Sequence, residues 1–212
     1  MRKRLYIPML LILFGSVSTF AQEHEGFMNR VKGFFSPGSR IGSYTFNDGS
    51  VYTGDLRKCR PDGSGTTLYL NNDKYEGEYV KGRKTGFGVY TSHTGEKYAG
   101  NWENNIQQGE GDFFYLNNNR YSGSWKDGFQ EGEGKMYYHN GDLYEGEWLK
   151  NQRYGYGTYT WGNGAKYIGQ WINDKKNGQG TMIWNDGSKY SGDWVNDQRQ
   201  GKGVFDYLNG DK

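Results

Sequence analysis

Cysteine and histidine are nearly missing from this 212-residue chain, which has one of the first and three of the second. A lone cysteine, Cys59, excludes an intramolecular disulfide. It sits beside Arg60 and Pro61 and reads as an incidental loop residue, with an intermolecular thiol as the alternative. Aliphatic residues are also scarce: hydrophobic residues total 33% and aromatic ones already supply 17%, so Tyr, Trp and Phe must do the burying. An excess of charge of one sign is absent too, with 26 Lys+Arg against 24 Asp+Glu.

Long apolar runs are confined to the N-terminus. Arg2, Lys3 and Arg4 precede the apolar stretch Leu5 to Phe14, and small residues then lead to Thr19-Phe20-Ala21. A basic start, a short apolar run and an A-x-A-like ending describe a secretory signal peptide over residues 1–21, cleaved after Ala21. The run is well short of the ~20 residues a membrane-spanning helix needs. The residue directly after the cleavage point is Gln22 and not cysteine, which counts against a lipid-anchored precursor. Without its leader the chain keeps 23 basic and 24 acidic residues, a charge of −1 instead of +2. A nucleic-acid partner held by a basic face is thereby excluded.

What is present is a period. Tyrosine recurs every 23 residues at Tyr52, Tyr75, Tyr98, Tyr121, Tyr144, Tyr167 and Tyr190, without insertion or deletion. Taking each Tyr as offset 0, glycine stands at offsets 2, 11 and 13 in every copy, and offset 4 is Leu56, Tyr79, Trp102, Trp125, Trp148, Trp171 and Trp194. Such strict spacing marks a stacked-repeat architecture.

Offsets 0, 2 and 4 are specified while 1 and 3 vary, the period of two of a β-strand with one dictated face. Large side chains at offsets 15 and 17, such as Phe113 and Tyr115 or Tyr159 and Trp161, repeat the pattern in a second strand. Each unit is therefore expected to be a β-hairpin. Asn140-Gly141, Asn163-Gly164, Asp186-Gly187 and Asn209-Gly210 at offsets 19 and 20 supply the positive φ of tight turns, and Asn72 and Asn118 replace the glycine with the next-best residue. Offsets 6 to 10 read as a long, polar, solvated loop. Glycine inside strands costs roughly 0.5 to 1 kcal/mol, so its recurrence implies close approach of an aromatic ring to bare backbone.

A half-copy, Gly42, Tyr44, Phe46 and Gly49, precedes the first full unit. The expected fold is all-β: an elongated single-layer antiparallel sheet over residues 42–212, about fifteen strands and roughly 70 Å long at ~4.8 Å per strand. Between leader and sheet, residues 22–41 form an amphipathic segment or cap. Phe27, Met28, Val31, Phe34 and Phe35 place one apolar face on a short N-terminal helix.

Units such as Tyr144-Glu145-Gly146-Glu147-Trp148, followed by Gly155-Tyr156-Gly157 and Asn163-Gly164, closely resemble the MORN repeat (membrane occupation and recognition nexus), in seven full copies and one half. The resemblance implies a solenoid-like β-sheet acting as a scaffold, dimerisation or protein-interaction module, with lipid-headgroup binding in some members. One departure is consistent: the loop His often found before the offset-11 glycine is here Asp62, Thr85, Gln108, Glu131, Tyr154, Asn177 and Gln200. A role that depends on that His is not expected.

Site chemistry is sparse. His93 and His139 share offset 18 two repeats apart, roughly 20 Å by strand spacing, too far for a common metal. Glu145 and Glu147 are spaced to share a solvated strand face, and Gly-x-Gly occurs in every copy and signals packing instead of a phosphate loop. The expectation is no catalytic, cofactor or metal residues, and a candidate interaction surface at offset 17: Tyr138, Trp161, Trp184 and Tyr207. The expected protein is a non-enzymatic scaffold, periplasmic, secreted or envelope-associated, that pairs with a protein or with itself. The alternative is a glycan or lipid headgroup ligand held by the aromatic face and basic loops. The sequence stops at Lys212, where an eighth Tyr would come next; a continuation or a pairing edge is expected there. Expression in a secretion-competent host, followed by N-terminal sequencing of the exported protein, is expected to return Gln22 as first residue. An intact Met1 on the exported chain would refute the leader.

Overall fold

A computed structural model describes Gly38 and residues 40–207. The leader and the expected helix over 27–35 lie outside the described residues. Strand β1 (Arg40–Thr45) opens the sheet, and seven hairpins follow, each of a seven-residue and a nine-residue strand. They are β2 (Val51–Arg57) with β3 (Arg60–Leu68), β4 (Lys74–Val80) with β5 (Arg83–Thr91), β6 (Lys97–Glu103) with β7 (Ile106–Phe114), and β8 (Arg120–Lys126) with β9 (Phe129–Tyr137). Then come β10 (Leu143–Leu149) with β11 (Gln152–Thr160), β12 (Lys166–Ile172) with β13 (Lys175–Ile183), and β14 (Lys189–Val195) with β15 (Gln198–Asp206). All fifteen strands lie in chain order in one antiparallel sheet. The expected all-β, single-layer hairpin sheet is the observed fold.

The register explains the glycines. In the hairpin β10–β11, Tyr144 faces Tyr159 and Gly146 faces Gly157. The Tyr144 ring turns back along its strand and covers this glycine pair. A Cβ on Gly157 would sit 2.4 Å from Tyr144 Oη, and one on Gly146 would sit 2.4 Å from Gly157 Cα. The phenol donates a hydrogen bond to the Glu147 carbonyl at 3.0 Å. Equivalent bonds run from Tyr52 to Asp55, from Tyr98 to Asn101 and from Tyr121 to Ser124.

The offset-11 glycine has a different reason from the one expected. Pairing slips between Gly146 and Trp148, a β-bulge. Gly155 lies in it at φ +62°, with Glu147 carboxylate atoms within 2.6 Å of any added Cβ. Glu147 also accepts the bulge N–H of Tyr156 at 2.7 Å, as Asp55 does for Ser64 and Asp193 for Lys202. Offset 3 is thus a bulge acceptor, and the expectation that Glu145 and Glu147 merely share a solvated face is corrected.

The two connections also exchange roles. Offsets 6 and 7 alone form the hairpin turn, with both residues at positive φ, for example Asn173 at 49° and Asp174 at 65°. That is the twist a two-residue turn needs to match its strands. Offsets 8 to 10, expected in a loop, belong to the nine-residue strands. The Asn-Gly pairs occupy the longer connections instead. There Asn163 Oδ1 accepts Ala165 N–H at 3.0 Å and Gly164 N–H bonds to Trp161 O at 2.9 Å. Asn72 and Asn118 do hold the expected positive φ, 66° and 63°.

The core is one layer of rings. Tyr52, Tyr75, Tyr98, Tyr121, Tyr144 and Tyr167 are fully buried, and the five offset-4 tryptophans are nearly so. Between Tyr52 and Tyr190, which end the row, each of these rings meets two others edge to face. Tyr144 lies 5.3 Å from Trp148 and 5.4 Å from Trp171, and Tyr167 lies 5.2 Å from Trp171 and 5.3 Å from Trp194. Edge-to-face pairs contribute about 0.5 to 1.5 kcal/mol beyond area burial. The indole N–H of every offset-4 tryptophan reaches back to the preceding repeat, as Trp148 Nε1 does to Gly134 O at 3.2 Å and Trp171 Nε1 to Gly157 O at 3.3 Å.

Two outcomes follow from this packing. In urea denaturation Gly157→Ala is expected to cost about 3 kcal/mol by overpacking, while Gly164→Ala, with open space but φ +90°, costs about 1 kcal/mol. Equal losses would refute ring-over-glycine packing. Burial also pushes the phenols of Tyr52, Tyr75, Tyr98, Tyr121, Tyr144 and Tyr167 well above their ordinary value. A proton held more tightly when folded means stability that is intact below about pH 10 and lost as pH rises beyond it. Melting temperature should therefore fall steeply above about pH 10, whereas a flat profile to about pH 11.5 would contradict the burial.

Candidate interaction surface

The rings at offsets 15 and 17 continue the buried layer toward the edge where the longer connections lie. Tyr138, Trp161 and Trp184 are half-buried and packed against the core, and Tyr207 is 54% exposed. Each is the first residue of a connection or follows the last strand. Tyr138 N–H bonds to Asp142 O at 3.0 Å, Trp161 N–H to Ala165 O and Trp184 N–H to Ser188 O at 2.9 Å. This fixes the ring's origin at each repeat, about 10 Å apart at two strand spacings. Tyr159 joins Tyr138 (5.7 Å) to Trp161 (4.8 Å), and Phe205 joins Trp184 (5.2 Å) to Tyr207 (4.3 Å). The offset-15 residue between the two groups is Met182.

Offset 9, expected among solvated loop residues, belongs to this face. It lies across the strand from offset 4, pairing Lys84 with Tyr79, Arg153 with Trp148 and Lys176 with Trp171. Lys84 Nζ stands 4.7 Å from the Trp102 ring centre, 5.0 Å from Tyr75, 5.2 Å from Tyr69 and 5.3 Å from Tyr90. Arg153 lies 4.4 Å above Trp171, and Lys176 lies 4.7 Å above Trp194 and 5.8 Å above Trp161. Arg199 covers Tyr190 and Trp184. These are cation–π distances. Gln130 takes the same position in its repeat and donates to Tyr115 Oη at 2.7 Å.

The next repeat's turn positions Lys84, Arg153 and Lys176. Arg153 donates through N and Nε to Asp174 Oδ1 at 3.0 Å and through Nη2 to Asp174 O at 2.8 Å. Lys84 N bonds to Asn105 Oδ1 and Lys176 N to Asp197 Oδ1. Burial pushes the Lys84 ammonium down to about 8, with the charge of Asp48 acting in the opposite direction. Burial lowers Lys176 as well. The signal was available in the sequence, since offset 9 shares parity with 15 and 17 and carries Lys, Arg, Gln or Pro in every copy.

His93 and His139 are turn residues. His93 places its main-chain N and its Nδ1 at 2.8 and 2.9 Å from Asp73 Oδ1, and His139 N–H bonds to Asn119 Oδ1 at 3.0 Å. The Tyr90 hydroxyl, then His93, hold the Asp73 carboxyl well below the usual range. Glu145 pairs with Lys135 at 2.6 Å, away from the bulge role of Glu147. Cys59 is exposed, as the second residue of the β2–β3 turn.

The molecule is an open β-hairpin repeat protein whose edge-to-face rings link each unit to the next. The MORN repeat family profile matches six consecutive segments, 75–97, 98–120, 121–143, 144–166, 167–189 and 190–212, well over half of the chain. The chain belongs to the MORN repeat family. No curated protein matches it. Among solved structures it is similar to the TCP domain of Drosophila melanogaster SAS-4 (dCPAP) in complex with a proline-rich motif of Ana2 (dSTIL), at 13% identity over 89% of this chain and 96% of that one, TM-score 0.40. It is also similar to the wild-type TCP10 domain of Danio rerio CPAP, at 10% identity over 76% of this chain and 92% of that one, TM-score 0.25. At these scores the likeness has no bearing on function.

Because folding lowers the Lys84 pKa, the ammonium costs stability below about pH 8, and that cost disappears as pH rises toward its ordinary value of about 10.5. Wild type should gain stability relative to Lys84→Met across this window in paired thermal melts. Parallel curves would place Lys84 in solvent.

Proposed function

We propose that this chain is a non-enzymatic MORN scaffold that docks a protein partner, including a second copy of itself, on the aromatic edge formed by Tyr138, Trp161, Trp184 and Tyr207. The observation carrying this reading is the half-exposed state of these rings, with Lys176 and Arg199 held over Trp161 and Trp184. Aromatic side chains and arginine are enriched at the cores of protein interfaces. The main chain of Tyr138, Trp161 and Trp184 is fixed by the turns, so little is lost in ordering them on binding. The face also offers carboxylates of a partner a cation beside Trp161 and Trp184.

The repeat count extends to the N-terminal side of the matched segments. Residues 52–74 keep the same register, Gly54 against Gly65 with the following slip, and β1 sets Tyr44 against Tyr52 and Gly42 against Gly54. Seven full units and one half is the reading that fits this geometry. Under the leader proposed for residues 1–21, docking takes place in an exported compartment.

A photo-cross-linking residue at position 161 or 184, in the native host, is expected to capture polypeptide, either a second copy or another chain. The same residue at position 168, an exposed site on the opposite sheet face, serves as control. Trp161→Ala with Trp184→Ala should weaken the recovered complex by at least about tenfold while melting moves little, as for a pair of interface anchors. Cross-links to lipid or glycan alone, or equal yield at 168, would overturn the protein-docking reading.

A further inference from the structure

The two-residue turns form the sheet edge opposite the aromatic row, and their charge is unevenly spread. Offset 6 is Lys58, Lys81, Asn104, Asp127, Lys150, Asn173 and Asn196. Of the three tips with lysine at this offset, the first two add flanking cations, Arg57 and Arg60 on one and Arg83 on the other, whereas Lys150 has Leu149 and Gln152 in those places. Arg57, Lys58, Arg60 and Lys81 line one open cavity of about 450 Å³, together with Asp62.

Among the described residues none of these four cations makes an ion pair. Elsewhere cations do: Lys126 with Glu131 at 3.2 Å, Lys135 with Glu145 at 2.6 Å, Arg120 with Asp112 at 3.1 Å. Arg83 is turned away, its Nη1 donating to Asn104 Oδ1 at 3.2 Å. The backbone holds the cluster together. Gly82 N–H bonds to Pro61 O at 2.7 Å, which ties the second tip to the first, and Lys81 N–H points to Asp62 Oδ2 at 3.4 Å. Four cations gathered around the single carboxylate of Asp62 still repel one another, and an anion of high charge relieves that repulsion.

We propose that the cavity between the first two hairpin tips binds a phosphate-bearing ligand, a pyrophosphate or phosphomonoester group. The cations supply the charge and the forked donors of two arginines. Asp62 sets the choice among oxyanions. Sulfate is fully ionised and meets the carboxylate as a like charge, whereas a phosphate with a pKa near 6 can bring a proton and donate it to Asp62. The volume exceeds a bare tetrahedral ion and lies within the range of small-ligand sites. This site is on the edge away from the aromatic row, so either can fail without the other.

Calorimetric titration of the intact chain with inorganic pyrophosphate at low salt should show saturable binding. That binding should fall by at least about tenfold in about 0.5 M salt, where a surface charge site is screened. Sulfate should bind at least about tenfold more weakly. The double variant Lys58→Asn with Lys81→Asn introduces the residue found at this position in three other tips, Asn104, Asn173 and Asn196, so the turns are kept. It should melt like wild type and lose pyrophosphate binding by at least about tenfold. Vesicles containing phosphatidic acid distinguish the source: sedimentation with them, competed by pyrophosphate, supports a lipid phosphate, and pyrophosphate binding without vesicle binding supports a soluble one. Wild-type affinity in the double variant, or sulfate as tight as pyrophosphate, overturns the site.

Discussion

A phenol ring laid over two facing glycines holds this protein together. Tyr144 over Gly146 and Gly157 shows the device, in which neither glycine could carry a Cβ without striking the ring or the opposite backbone. Glycine weakens a strand by roughly 0.5 to 1 kcal/mol, and an aromatic ring buries on the order of 150 to 250 Å², so the exchange favours the fold. The same ring directs its hydroxyl to the carbonyl at offset 3, beside the bulge. A sheet of one layer thereby covers one face with its own side chains.

Propagation depends on the tryptophans. Each offset-4 tryptophan stands edge to face with the offset-0 Tyr of its own repeat and with that of the repeat before, and its N–H bonds to a glycine carbonyl of the preceding hairpin. The turns stitch the two edges in the same way, as Asp174 N–H to Arg153 O and Gly162 N–H to Asp142 Oδ1 do. Because all pairing is between neighbours in chain order, stability is a sum of unit and interface terms along one dimension. Residues outside this lattice are free to vary in function. The half-exposed rings at offset 17 and the charges on the hairpin tips are such residues.

Much of this was legible beforehand. The Tyr, Gly and Trp offsets announced hairpins, a single layer and ring-on-glycine contact, because each requires a fixed residue at a fixed spacing. The connections misled. Asn-Gly is the strongest short hairpin signal, yet here it lies in the five-residue links such as Trp161 to Ala165, while Lys58-Cys59 and Asn196-Asp197 make the tight turns. Lys and Asp adopt positive φ there because the strands on either side enforce it, a tertiary override of local preference. The placement of Lys84, Arg153, Lys176 and Arg199 was obscured by the same error, since a strand end on the aromatic face looks like polar loop when its turn is misplaced.

The strict period by itself determined the repeat, the strand faces and the residues of the ring layer, since a period of two within a period of 23 leaves one arrangement of buried and exposed positions. Tertiary structure alone decided where each hairpin closes, why the offset-11 glycine is needed, and which charges meet which surface. Those depend on the two-residue slip after each glycine pair, Gly54 with Gly65 and then Leu56 with Pro61. A slip of two keeps side-chain parity, so it leaves no trace in the alternation that the sequence displays. It becomes visible only when the strands are paired.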